Sequence, residues 1–281
     1  MGNRSSSAGN TGFRIRANVL CILLLLGWRL ASAIAGTITI ETQTEATLTD
    51  ADLTTRVVLI NQGDETARSI ACEVTFQGKT EKPPLIEALP PKTPTALTTT
   101  HRLIEHKPGQ SPLIVRVQFH DTNQYPFTAL SALIVNTHVA ASNDLAIEGK
   151  DIAFDRKGEL TFRIKNLAEE NRALSYWVLV PRELSVRAGE GRLSLEKRSE
   201  QTVSVRLDNF AALYGAAYPV YAFFEYDTPE AHHCQMASTT VQIVMEPSWF
   251  QKTRIYWLIG GILLLAGVLY RFFGRGKIGK P

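Results

Sequence analysis

His232-His233-Cys234-Gln235-Met236 is the densest set of candidate metal ligands in the chain, because imidazole, thiolate and thioether together suit copper or zinc. The run leads into an alternating stretch, and in a strand neighbouring side chains point to opposite faces. His232 and His233 therefore cannot aim at one ion without a bulge, and only distant residues such as His101, His106 or His120 could complete a set. A polar loop entering a strand accounts for the run without a metal. Asp121 and Asp227 end two similar segments, Phe119-His120-Asp121 and Glu225-Tyr226-Asp227, which raises calcium. One carboxylate per loop falls well short of the six to eight oxygens calcium takes, so both are expected to be turn residues. Glu169-Glu170 lies in a polar turn, where solvated carboxylates are expected. There is no G-x-S-x-G, no H-E-x-x-H and no glycine-rich phosphate loop. The chemistry-bearing residues thus predict no enzyme, no cofactor and no metal site.

The elements around them repeat. Arg56-Val-Val-Leu-Ile-Asn61 matches Leu160-Thr-Phe-Arg-Ile-Lys-Asn166, the segment Leu89–Leu103 matches Leu193–Leu207, and Pro112–Thr122 matches Pro219–Thr228. Three landmarks recurring in one order at an offset of about 104 to 107 residues mean two copies of one domain, not a solenoid of short units. Strand signals dominate: Thr37–Glu41, Arg56–Ile60, Leu113–Phe119 and Ser131–Thr137 in the first copy. Leu160–Lys165, Ser175–Val180, Gln201–Leu207, Val220–Tyr226 and Thr239–Val244 follow in the second. Only Phe210–Gly215 and Leu167–Arg172 could hold a helical turn. The expected fold is all-β: two tandem immunoglobulin-like sandwiches over residues 37–138 and 139–247, joined near His138–Ser142, then one transmembrane helix.

Each copy resembles an immunoglobulin-like module of bacterial and archaeal surface proteins, the NEW3 and cell-adhesion-related (CARDB) group. The resemblance is carried by a strand ending in Asn61-x-Gly63-Asp64-x-x-Ala67, the strand ending in aromatic-x-Asp, and a closing strand, over about residues 38–245. The second copy has Asn166-Leu-Ala-Glu in place of Asn-x-Gly, so a longer or differently capped loop is expected there. The resemblance implies a fold used for adhesion, carbohydrate-associated architecture and scaffolding, and selects none of them.

The ends point to a membrane. Arg4, Arg14 and Arg16 precede the apolar run Val19–Trp28, and ASAIAG offers cleavage at Ala33 or Ala35, so residues 1–36 read as a signal peptide. Residues 254–273 read as a transmembrane helix, with Trp249, Trp257 and Arg271 as interface anchors and residues 274–281 as a basic tail. Four cations follow the span against two before it, favouring a cytoplasmic C-terminus and an exported middle segment, in keeping with a bacterial inner membrane facing the periplasm. The formal charge of +3 offers no patch for nucleic acid. Cys72 sits on an inward face, which argues against a bridge to Cys234.

In Val220–Tyr226, the residues Val220, Ala222, Phe224 and Tyr226 share the core face. Tyr221 and Phe223 lie on the outer one, covered by a loop, the other module or a partner, and form the candidate contact surface. Trp177 is expected in the core. The resulting expectation is a non-catalytic, envelope-anchored binding or scaffolding protein presenting two modules to a protein partner. A glycan or cell-wall ligand, and service as an accessory subunit of a membrane enzyme or transporter, are the alternatives.

Overall fold

The computed structural model describes residues 37–103, 108–138, 144–245 and 249–274. The expected signal peptide, the centre of the linker and the basic tail after Gly274 lie outside the described residues.

The first half folds into β1 (Ile40–Thr49), β2 (Asp52–Asn61), β3 (Ala67–Phe76), β4 (Lys79–Glu81), β5 (Ile86–Leu89), β6 (Pro94–Arg102), β7 (Gly109–His120) and β8 (Pro126–Thr137). The second half gives β9 (Leu145–Gly149), β10 (Ile152–Phe154), β11 (Lys157–Asn166), β12 (Arg172–Leu179), β13 (Leu184–Arg187), β14 (Glu190–Leu195), β15 (Glu200–Asn209), β16 (Ala217–Asp227) and β17 (His232–Ile243). The repeat reappears in the topology. Sheet β1-β2-β6 has its counterpart in β9-β11-β15, to which β13 is added, and the run β3-β7-β8 has its counterpart in β12-β16-β17. The fold is an all-β sandwich architecture.

Two cores result, each filled by the period-two alternation that the sequence shows. Leu53, Val57 and Leu59 of β2 meet Ile70, Cys72 and Val74 of β3 and Leu113, Val115 and Val117 of β7. Leu160, Phe162 and Ile164 of β11 meet Leu174 of β12 and Val220, Ala222, Phe224 and Tyr226 of β16.

Asn61 and Asn166 are buried at equivalent strand ends and make the same three hydrogen bonds. The Asn61 side-chain amide donates to the carbonyls of Glu65 and Leu89, while its oxygen accepts from the Gly63 N–H. The Asn166 amide donates to the carbonyls of Glu170 and Glu196, and its oxygen accepts from the Ala168 N–H. The loop in the second copy is therefore neither longer nor differently capped. The side-chain amide organises both turns and does not need the glycine, which corrects the sequence expectation.

The halves also join. β17 and β7 run parallel and meet at the His232–Gly109 bridge, where the His232 N–H donates to the Pro108 carbonyl. Any side chain at Gly109 would collide with the His232 carbonyl, so the seam requires glycine.

After the sandwiches, α1 (Trp249–Gly274) covers the expected 254–273 span. Among the described residues no helix is long and apolar enough to cross a membrane; several side chains in the C-terminal half of α1, Arg271 included, lie outside that description. Trp249 and Trp257 pack edge to face at 6.0 Å and are both exposed.

Candidate functional site between the two modules

The outer faces of β7 and β8 in the first module close on the outer faces of β12, β16 and β17 in the second. Leu130, Leu179, Phe223 and Cys234 are buried there, with Ile114, Ala132, Ile134, Trp177, Tyr221 and Met236 packed around them. Alternation explains why these residues are available. On β8 the residues Ala129, Leu133 and Val135 face the first core, which turns Leu130, Ala132 and Ile134 outward. On β16 the even-numbered residues face the second core, which turns Tyr221, Phe223 and Glu225 outward.

Tyr221 and Phe223, the candidate contact surface, thus make their contact with the other module of the same chain. Phe223 is fully buried, and the Tyr221 hydroxyl donates to the Leu130 carbonyl at 3.3 Å. Trp177 is not inside the second core as expected. It lies on the outer face of β12, stacked on Phe223 with ring centres 4.2 Å apart.

Beside this apolar seam opens a cleft of about 540 Å³. Its first wall is the end of β3, the tight Gln77-Gly78 turn and the start of β7, with Thr75, Gln77, Ser111 and Ile114. Gln77 and Gly78 both have left-handed backbone, at φ 46° and 76°, as a two-residue hairpin of this hand requires. The second wall is Trp177, Glu225, Asp227 and His232. One Glu225 oxygen accepts from the Trp177 indole N–H at 3.1 Å and from the Cys234 thiol at 3.8 Å.

The cleft offers aromatic and hydrogen-bonding surface, not a poised nucleophile. Burial first, then the neighbouring Glu225 charge, push the Cys234 thiol far above its ordinary range, so it stays protonated and a poor nucleophile. Burial likewise pushes the Cys72 thiol up to about 11 within the first core. Both cysteines are free, one in the first core and one at the seam between modules.

The two histidines split across the strand as period two dictates. His232 faces the cleft and its Nδ1 lies 3.2 Å from an Asp227 oxygen, while His233 turns inward and stacks on Tyr226 at 4.7 Å. Desolvation is the first cause lowering the His233 pKa from its ordinary value. Among the described residues no group of three His, Cys, Asp or Glu side chains converges on one point. Asp121 is a turn residue: it accepts from the Tyr125 N–H at 2.7 Å.

Sequence reading missed Glu183, which precedes β13 and pins the modules together away from the cleft. It is 1 % exposed, one oxygen accepts from the Thr128 N–H of β8, and the other is buried without a partner. Its backbone carbonyl holds the N–H groups of Phe210 and Ala211. Burial raises its carboxyl pKa from the ordinary 4.5, partly opposed by hydrogen bonds from the Glu183 and Thr128 amides. With the folded pKa above the unfolded one, the folded state binds the extra proton. The stability contributed by this group is fully present below pH 4.5 and is lost as pH rises through the raised folded value. Glu183→Gln keeps an acceptor for Thr128 and removes this slope. The variant is expected to gain stability relative to the parent as pH rises from 4 to 7, checked by denaturant unfolding of both proteins across that range; a constant difference would contradict it.

No family model matches the chain, and no curated protein is recognisably similar to it in sequence. Among solved structures it is similar to a protein of unknown function from Porphyromonas gingivalis W83, at 10% identity and a TM-score of 0.32, covering 73% of this chain and 99% of that one. It is also similar to Salmonella alpha-2-macroglobulin, at 12% identity and a TM-score of 0.31 over 74% of this chain, and spans 16% of the macroglobulin's length. PapD-like domain 7 of human CEP192 is similar at 13% identity and a TM-score of 0.30, covering 41% of this chain and 96% of the domain. Scores at this level leave the architecture to rest on the strand order and register of the chain itself.

Proposed function

We propose that this chain is a non-catalytic, single-pass envelope protein whose two immunoglobulin-like modules act as one rigid body that binds a protein partner. The observation carrying this reading is the lock between the modules. An apolar seam around Phe223 and the Gly109–His232 bridge fix their orientation and frame a cleft with an aromatic wall. Modules meant to move independently would be joined by smaller, more polar contacts.

Membrane anchoring rests on the sequence and the faces of α1. Ile255 to Tyr270 carries no charge and makes about 24 Å of helix, which Phe272 and Phe273 extend past Arg271 to about 28 Å. Ile255, Leu258, Ile259, Ile262, Leu263 and Leu264 are all more than half exposed, and the stretch 255–264 carries no charged or amide side chain to face water. A bilayer is the solvent that suits such a surface. With the apolar N-terminal run read as an export signal, the modules face the periplasm and the tail the cytoplasm.

A photocrosslinker at Lys79, beside the Gln77-Gly78 turn of the cleft wall, tests the reading in the full-length chain in its native membrane. Capture of one envelope protein in fixed ratio, abolished by Trp177→Ala, is the expected result. Capture of nothing but the chain itself would overturn it, and retention of the soluble part on polysaccharide would transfer the role to a glycan.

A further inference from the structure

β7 and β17 each have twelve residues and run parallel from neighbouring starts, so their far ends come to one end of the two-module body. The contacts at that end agree. The Tyr125 hydroxyl, from the β7–β8 turn, donates to the Ala211 carbonyl at 3.2 Å. The loop after β15 is tied to the last residue of β17, with the Gly215 N–H donating to the Ile243 carbonyl at 2.7 Å and the Ile243 N–H to the Ala216 carbonyl at 3.0 Å.

Leu85 excepted, every exposed large apolar side chain described between residues 37 and 245 belongs to this end: Tyr125, Phe210, Leu213, Tyr214 and Met245. Phe210 is 79 % exposed and Met245 61 %, too much apolar surface in one place for scattered surface residues. Arg156, Lys157 and Arg187 share a concavity with Tyr125 and Tyr214, against the carboxylates of Asp155 and Asp208. Arg187 pairs with Asp208, and Tyr214 donates to Asp155 without cancelling its charge, so three cations against two carboxylates leave the rim weakly positive, with Arg156 and Lys157 as the cations outside that ion pair. The chain leaves for α1 from the same end. Ile243 and Trp249 are six residues apart, so the helix starts within about 20 Å even if the connection is fully extended.

We infer that this end of the body is seated on the bilayer surface, with Phe210, Leu213 and Tyr214 in the headgroup region and Arg156 and Lys157 against anionic lipid headgroups. Rings and aliphatic tips backed by cations are the composition of interfacial membrane contacts. The inference rests on the reading of α1 as a membrane anchor and adds an orientation to it. The cleft lies at the opposite end, where β7 and β17 begin, about 36 Å along the strands. Seating the apolar end on lipid therefore turns the cleft away from the membrane, towards a partner in the surrounding compartment.

The test uses the full-length chain in vesicles of equal parts phosphatidylcholine and phosphatidylglycerol. Environment-sensitive labels are placed one at a time at Leu213→Cys, Leu263→Cys in α1, and Lys79→Cys beside the cleft, with Cys21 replaced and the two buried cysteines retained. The expected result is quenching of the first two labels by spin-labelled lipid and none at Lys79→Cys. Arg156→Glu with Lys157→Glu should reduce the Leu213→Cys quenching in anionic vesicles and not in pure phosphatidylcholine. Quenching at Leu263→Cys alone would keep the anchor and overturn the seating. A blue-shifted but unquenched Leu213→Cys label would assign this end to a protein partner or a second copy, which also overturns it. Quenching at neither position would overturn anchor and seating together.

Discussion

Phe223→Ala is expected to cost about 3–5 kcal/mol of unfolding free energy, the range for deleting a fully buried phenyl ring. The ring is completely buried, stacks on Trp177 at 4.2 Å and packs among Leu130, Leu179 and Cys234. What distinguishes this site from an ordinary core position is that its walls come from both modules. The cavity would be left at the seam, so the loss falls on the coupling between modules, while the two inner cores keep every residue. Calorimetry of the full-length chain in detergent should therefore show the parent sandwiches unfolding in one transition and those of the variant in two. Tyr221→Phe on the same face removes only a hydroxyl bonded to the Leu130 carbonyl, and should cost about 0.5–1.5 kcal/mol with one transition retained. A Phe223→Ala loss below about 1 kcal/mol, with a single transition, would mean that the seam contributes little and that the modules are not locked.

The sequence carried the seam only halfway. Alternation along β16 separated Phe224 and Tyr226 from Tyr221 and Phe223 correctly, because period two is a local property of the strand. The identity of the cover over Phe223 was not local. Leu130 lies over ninety residues earlier, and nothing in its own strand names its partner. A signal was nonetheless present: Ala129 to Val135 is apolar on both faces but for Ser131, as is Val220 to Phe224, and strands that read so are buried on both sides. Trp177 sits at the seam and not in the core because its size and hydrophobicity suit either of two apolar faces and do not say which one it serves. The cleft was illegible for a different reason. Gln77, Ser111 and Glu225 are ordinary polar residues with no motif spacing, and only the parallel docking of β7 on β17 brings them near one another. Glu183 was equally silent, since a carboxylate followed by a short strand is usually solvated and here the other module removes the water.

Asn61→Ala and Asn166→Ala are each expected to cost about 3 kcal/mol, although neither residue belongs to an apolar core. Each fully buried amide satisfies two backbone carbonyls and one backbone N–H, which lose their partners together when the side chain is cut back. Unsatisfied buried groups cost about 1–3 kcal/mol apiece, with some recovered where water enters. The aspartate variants separate hydrogen bonding from shape. Asn61→Asp preserves the acceptor for Gly63 but sets a carboxylate oxygen against the carbonyls of Glu65 and Leu89, so it should be no more stable than alanine at neutral pH. Burial beside two carbonyls raises the pKa of that new carboxyl in the folded state, so stability declines as pH rises through the raised value and returns on acidification. Asn166→Asp should behave alike, because the Glu170 and Glu196 carbonyls occupy the corresponding places. Denaturant unfolding at pH 4 and pH 7 reads both effects. Equal behaviour in the two modules would establish that the repeated asparagine, and not the glycine found in one copy alone, is the residue that holds this turn. A cost confined to Asn61 would return that role to the Asn-x-Gly sequence.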